Sequence, residues 1–165
     1  MFREIPEYFE YRETLQDGLS AIFRCPVAIC ADSARLVNVV CRLESVFDPA
    51  IYCGFFHEIA FEIEIISLDG ALESFSTQNR NISSRYLPEK LRPSIIHFVA
   101  DGYESIIHLI EPRVICRVTK TPASLVNALL KHNVLTRRIE SLGYVVAETG
   151  TDRFTRRFWL MERQG

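Results

Sequence analysis

A chain of 165 residues, 48% hydrophobic and 24% charged, can bury one sizeable core but is too short for a second full domain, so residues 1–165 are read as a single unit. A net charge of −2 and a pI near 6.1 exclude a dedicated polyanion binder by bulk charge. The start, MFREIPEYFEYRE, is too acidic for a targeting peptide, and the most apolar run, SIIHFVADGYESIIHLI, is broken by Asp101 and Glu104, so no membrane span and a cytoplasmic location are expected.

Five cysteines, Cys25, Cys30, Cys41, Cys53 and Cys116, have irregular gaps that suit neither a complete disulfide framework nor a zinc site. They are expected to be reduced, mostly core-filling thiols, and no metal is expected. Charge is uneven: residues 1–75 hold 13 acids and 5 bases, whereas 76–165 hold 8 acids and 14 bases. The two halves are expected to face each other across one sheet.

In chain order, LSAIFRC reads as a strand closed by Pro26. Asp32 or Ser33 can cap a helix with Leu36, Val37, Val40, Leu43 and Phe47 at helical spacing. IYCGFF and EIAFEIEIISL read as strands; in the second, Ile59, Phe61, Ile63 and Ile65 face a core while Glu58, Glu62 and Glu64 make a wet, acidic face. A long loop, with room for an added edge strand, follows through Pro88. A helix is expected from Glu89 to Ile110, with Pro93 in its first turn and apolar positions Leu91, Ile95, Phe98, Val99, Ile106, Leu109 and Ile110. RVICRVT is a short strand, TPASLVNALLKHNVLTRRIESLG a helix stopped by Gly143, and YVVAE, a TGTD turn and RFTRRFWLMER a closing pair of strands.

This order, and the residues RIESLGYVVAETGTDRFTRRFWLMER, resemble the GNAT acyltransferase superfamily over residues 58 to 163. The resemblance implies an α/β (mixed α+β) fold, a GNAT-like splayed mixed sheet with helices on both faces. It also implies an acetyl-CoA or other acyl-CoA cofactor, and a V-shaped opening between the strand ending near Leu68 and the strand at 113–119. Ile139, Glu140, Ser141, Leu142, Gly143 and Tyr144 match the family's helix-to-strand junction, and Leu160, Met161, Glu162 and Arg163 its last strand. The chemistry departs from the family. Where members often carry a proton-donating tyrosine stands Ile139, which has no proton to give. The upstream asparagine position falls on His132, with Asn133 one residue away. The segment matching the pyrophosphate loop, with Gln78, Arg80, Asn81, Ser83 and Arg85, contains no glycine to let backbone N–H groups approach phosphate.

The resemblance therefore implies a GNAT-like scaffold with an altered or lost acyl-CoA site that works by binding a protein partner. An active N-acyltransferase is the alternative, holding the cofactor through Gln78, Arg80, Asn81, Ser83, Arg85 and Asn133, with Glu62 or Glu64 as base. Arg153, Arg156, Arg157 and Trp159 of the C-terminal hairpin, or the 70–88 loop, are the expected partner-binding surface; nucleic acid is a less favoured partner for the arginine-aromatic residues. His97, Asp101, Glu104 and His108 share one helix face and are read as a solvated stripe. Cys53 and His57 are read as a core cysteine beside a strand-end histidine.

Overall fold

The computed structural model describes residues 3–4, 13–16, 19–30, 34–67, 69–75, 86–119 and 126–165. Their elements run β1 (Arg3–Glu4), β2 (Glu13–Gln16), β3 (Ser20–Cys30), β4 (Arg35–Phe47), β5 (Phe55–Ser67), β6 (Leu72–Phe75), α1 (Ile95–Ile110), β7 (Val114–Val118), α2 (Val126–Glu140), β8 (Tyr144–Thr151) and β9 (Arg157–Arg163). The strands form one mixed sheet in the order β1-β3-β4-β5-β7-β9-β8, with β2 also on β3 and β6 also on β5. β5 and β7 are its parallel pair, joined by a crossover that contains α1. The mixed α/β class expected from the sequence is what the chain forms.

The expected helix after Ser33 is instead the strand β4. Val37, Val39, Cys41 and Leu43 are all fully buried, a period of two, while Asn38, Val40 and Arg42 face the other side. Val37, Val39, Val40 and Val46 are β-branched, which favours the extended chain. The expected cap, Asp32 or Ser33, lies outside the described residues. Strand β3 also passes Pro26 rather than ending there. Its register with β4 shifts between Pro26 and Ala28, so the residue that cannot donate a ladder hydrogen bond sits at an irregularity.

Other boundaries move less. Residues 49–54 form turns, so only Phe55 and Phe56 of IYCGFF are extended. Arg92–Ser94 make one 3-10 turn around Pro93, and α1 begins at Ile95 rather than Glu89. Leu109 is exposed, whereas Gly102, Tyr103 and Ile107 complete the buried face of α1. Glu111, at φ 49°, ends α1 by donating its N–H to the Ile107 carbonyl, 2.7 Å away. Gly143, at φ +89°, ends α2 as expected, because that backbone conformation favours a residue without a side chain. β8 extends through Thr151, so the hairpin turn begins at Asp152, later than TGTD suggested.

Both described helices pack on one face of the sheet. There the odd-numbered residues of β4 and β5 join Ile115 of β7 and Met161 of β9 beneath Val99, Tyr103 and Ile106 of α1 and Leu135 and Ile139 of α2. Helices on both faces are not found among the described residues, and the helix expected after Ser33 is the strand β4. The other face carries a second apolar cluster, in which Ile51 from the β4–β5 turn covers Phe56, Val114, Cys116, Phe158 and Leu160. Among the described residues no helix is long and apolar enough to cross a membrane.

The two occupants of one edge of β5 decide what the fold can host. β4 covers one edge along the whole strand. On the other edge, β7 pairs only with His57, Glu58 and Ile59, and β6 folds back to pair with Ile63 through Ile66. Only residues 60–62 lie between those two neighbours.

Candidate functional site

Alternation along β7 sends Cys116 to one face and Ile115 and Arg117 to the other, beneath the helices. Arg117 is consequently 2% exposed. Its Nη1 donates to the carbonyl of His132 at 3.0 Å and to Thr136 Oγ1, and its Nη2 lies 2.8 Å from His132 Nδ1. Tyr103 of α1 lies close enough for its phenol to couple electrostatically to this guanidinium. The Trp159 ring is 5.4 Å from the guanidinium carbon and stacks on His132, with centroids 5.0 Å apart and planes 17° from parallel. One guanidinium thus ties α1, α2, β7 and β9 together. Burial drives the Tyr103 phenol well above its usual range, with Arg117 pulling the other way. Burial also lowers the Arg117 pKa, opposed by Tyr103.

On the opposite face of the sheet, the expected wet acidic surface is an ion-pair ladder. Glu64, 1% exposed, accepts from Arg24 Nε at 3.1 Å and from Arg42 Nη2 at 2.8 Å, while Glu62 binds Arg42 at 2.7 Å. The ladder exists because Arg42 of β4 lies across from Ala60, whose small side chain leaves room between Glu62 and the neighbouring strands. Both carboxylate oxygens of Glu64 and Oε1 of Glu62 are therefore engaged by guanidinium groups. Glu58 is half-buried beside Cys116, whose thiol is pushed up to about 12 by burial, with the Glu58 charge adding to the effect.

The β8–β9 hairpin is organised by Asp152. Its Oδ1 accepts from the backbone N–H groups of Phe154 and Arg156 at 2.9 and 2.8 Å, and its Oδ2 from Arg156 Nε at 2.7 Å. These hydrogen bonds hold the Asp152 carboxyl below its ordinary value against the opposing effect of desolvation. Phe154, 57% exposed, projects from the turn with the guanidinium carbons of Arg153 and Arg156 at 4.8 and 5.3 Å from its ring. Arg157 lies 5.7 Å from the Trp159 ring. Gly150 is needed here, since an added Cβ would meet Phe158 Cζ at 2.7 Å.

The sequence-predicted residues divide accordingly. Arg153, Arg156, Arg157 and Trp159 gather at the hairpin, although Arg156 is tied to Asp152 and Trp159 is half-buried. Asn133 is exposed on α2, next to His132 rather than with it in the Arg117 cluster. Gln78, Arg80, Asn81, Ser83 and Arg85 lie outside the described residues. The stripe on α1 docks α2: Arg138 bridges Asp101 and Glu104, and Glu104 reaches His108 at 3.8 Å. No cluster of three or more metal-ligating side chains occurs among the described residues. Cys53 is an exposed thiol in the turn, and His57, on β5, has its pKa lowered by burial.

Sequence reading missed Arg117, Tyr103 and Asp152. Alternation in RVICRVT already set Arg117 on the side of Ile115, and the D-R-F-T-R run already had an aspartate able to cap a turn. No protein-family model, curated protein or solved structure matches this chain.

Proposed function

We propose that the chain is a GNAT-like scaffold with its acyl-CoA passage closed, and that it works by binding a macromolecular partner at the β8–β9 hairpin. The observation that carries this reading is β6. An acyltransferase of the resembled family needs an opening between the strands equivalent to β5 and β7, lined by free backbone groups. Here β6 pairs with β5 from Ile63 to Ile66 on the edge that faces that opening. Backbone groups that a cofactor would use are engaged in a ladder. The β5–α1–β7–α2–β8–β9 order and the Gly143 stop support the scaffold half of the reading.

Two side chains support the closure. Arg117 fills the space between α1 and α2 at the end of β7, and Ile139, at the family's proton-donor position, is fully buried in the core. Glu62 and Glu64, the bases the alternative would use, are held in the ion-pair ladder. The partner half rests on the exposed Phe154 and its flanking arginines.

The test is the melting temperature with and without millimolar acetyl-CoA and free coenzyme A. The reading expects no shift with either. A ligand present at about 100 times its dissociation constant stabilises by roughly 2.7 kcal/mol, so a clear upward shift overturns the closed passage.

A further inference from the structure

We infer that the partner is an extended, acidic protein segment that adds as a strand to the free edge of β8; this rests on the binding reading above and names its ligand. β8 ends the sheet order and, among the described residues, pairs only with β9. Its eight residues, YVVAETGT, alternate no buried face with a wet one, for all but Tyr144 and Gly150 are exposed. The outward row of N–H and C=O groups is open to another strand.

Natural sheets usually blunt such an edge with lysine, proline, inward charge or bulges. β8 has no lysine, arginine or proline and carries one charge, Glu148, while Val145, Val146, Thr149 and Thr151 favour extended pairing. One protective device is present, a register shift between Val146 and Glu148. It leaves Glu148–Thr151, next to the hairpin turn, as the regular segment on which a strand can align.

Charge selects what aligns there. Arg156 is neutralised by Asp152, but Arg153 and Arg157 are exposed and, among the described residues, neither has a carboxylate partner. A strand laid along Glu148–Thr151 ends beside the turn that holds Arg153, with Arg157 of β9 one strand further in, across from Thr151, so that its long side chain must reach over β8. Acidic side chains on it meet these two guanidiniums, and an apolar one meets Phe154, which Arg153 and Arg156 already hold outward. Backbone complementarity supplies the attachment, while arginine and Phe154 supply the preference for acidic-apolar sequence.

The experiment uses the full chain and an end-blocked, fluorescent peptide of alternating valine and glutamate, eight residues long to match β8. Anisotropy should show saturable binding that weakens several-fold between about 50 mM and about 500 mM salt. The Arg153→Glu/Arg157→Glu variant should bind roughly tenfold more weakly. N-methylation of alternate peptide bonds should abolish binding, since it removes the donors a strand needs and leaves charge unchanged. Equal binding of the methylated peptide, or of one with lysine for glutamate, overturns the inference. So does preference for a single-stranded oligonucleotide, or self-association of the chain that blocks the peptide. A chain that ignores both coenzyme A and the peptide loses this inference and keeps its closed passage; one that binds coenzyme A loses the closed passage instead.

Discussion

Arg117 of β7 and His132 of α2 meet with guanidinium Nη2 2.8 Å from imidazole Nδ1. Arginine has donors only, so Nδ1 must be the accepting, unprotonated nitrogen and the ring proton sits on Nε2. The contact lies within a buried set in which Thr136 Oγ1 and the His132 carbonyl accept from Nη1, with the Tyr103 phenol near enough to couple to the charge.

Removing that side chain takes a donor from Thr136 Oγ1 and from His132 Nδ1, leaves the His132 carbonyl with the Thr136 hydroxyl, and opens a void under Trp159. Arg117→Ala is therefore expected to cost about 3 kcal/mol. Arg117→Met fills most of the volume and removes a desolvated charge, so it should cost less than half as much despite losing the same hydrogen bonds. Urea unfolding of the two variants checks this; equal losses would mean that the hydrogen bonds, not the packing, dominate.

Glu64 is expected to matter for stability rather than for proton transfer. Glu64→Ala removes the carboxylate that Arg24 and Arg42 share across adjacent strands, while Glu62 still binds Arg42. Because both guanidiniums are partly exposed, the loss should fall near the low end for a broken buried pair, about 2 to 3 kcal/mol. Glu64→Gln keeps one acceptor and the shape, and should lose less. A chemical denaturation midpoint unchanged in Glu64→Ala would show that the ladder contributes nothing.

Much of the fold was legible because several segments obey one period only. EIAFEIEIISL alternates cleanly, and α1, β7, α2, β8 and β9 follow from stripes and a glycine stop. Residues 36–47 obey two: Leu36, Val37, Val40, Leu43 and Phe47 fit a helix, while Val37, Val39, Cys41 and Leu43 fit a strand. Their β-branched content was the deciding signal, and it favours β4. That error hid the ion-pair ladder, since Arg42 meets Glu62 and Glu64 only when 35–47 is extended beside β5. The hairpin arginines were visible as a cluster in sequence. Arg117 was not, because a single arginine in an apolar run gains meaning only from its register with Ile59 and from the helices above it.

Acidification below the ordinary histidine range should weaken the fold. Burial lowers the His57 pKa, so just below the ordinary histidine value of about 6.5 the unfolded chain binds protons that the folded chain refuses. Stability therefore rises with pH through that window and is lost as pH falls. His57→Gln should flatten part of the slope. Urea midpoints measured across the window check the sign, and a His57→Gln profile parallel to that of the unaltered chain would remove His57 as a cause.

Gly102 sits mid-helix in α1, where glycine is ordinarily unfavourable by about 1 kcal/mol relative to alanine. Its absent side chain lets α1 settle onto the sheet. A Cβ there would stand 2.6 Å from Cys41 Sγ and 2.6 Å from Phe23 Cδ1. Both neighbours belong to the close-packed core, so neither can move without displacing others. Overpacking costs about 1 to 3 kcal/mol, which offsets or exceeds the gain in helix propensity. Gly102→Ala is expected to be destabilised by about 1 kcal/mol net. Adding Cys41→Ala removes the sulfur from one side of the clash, so the double variant should lose less than the sum of the two single losses. Strict additivity in thermal or urea unfolding would place the contact elsewhere and separate α1 from β4 at this point.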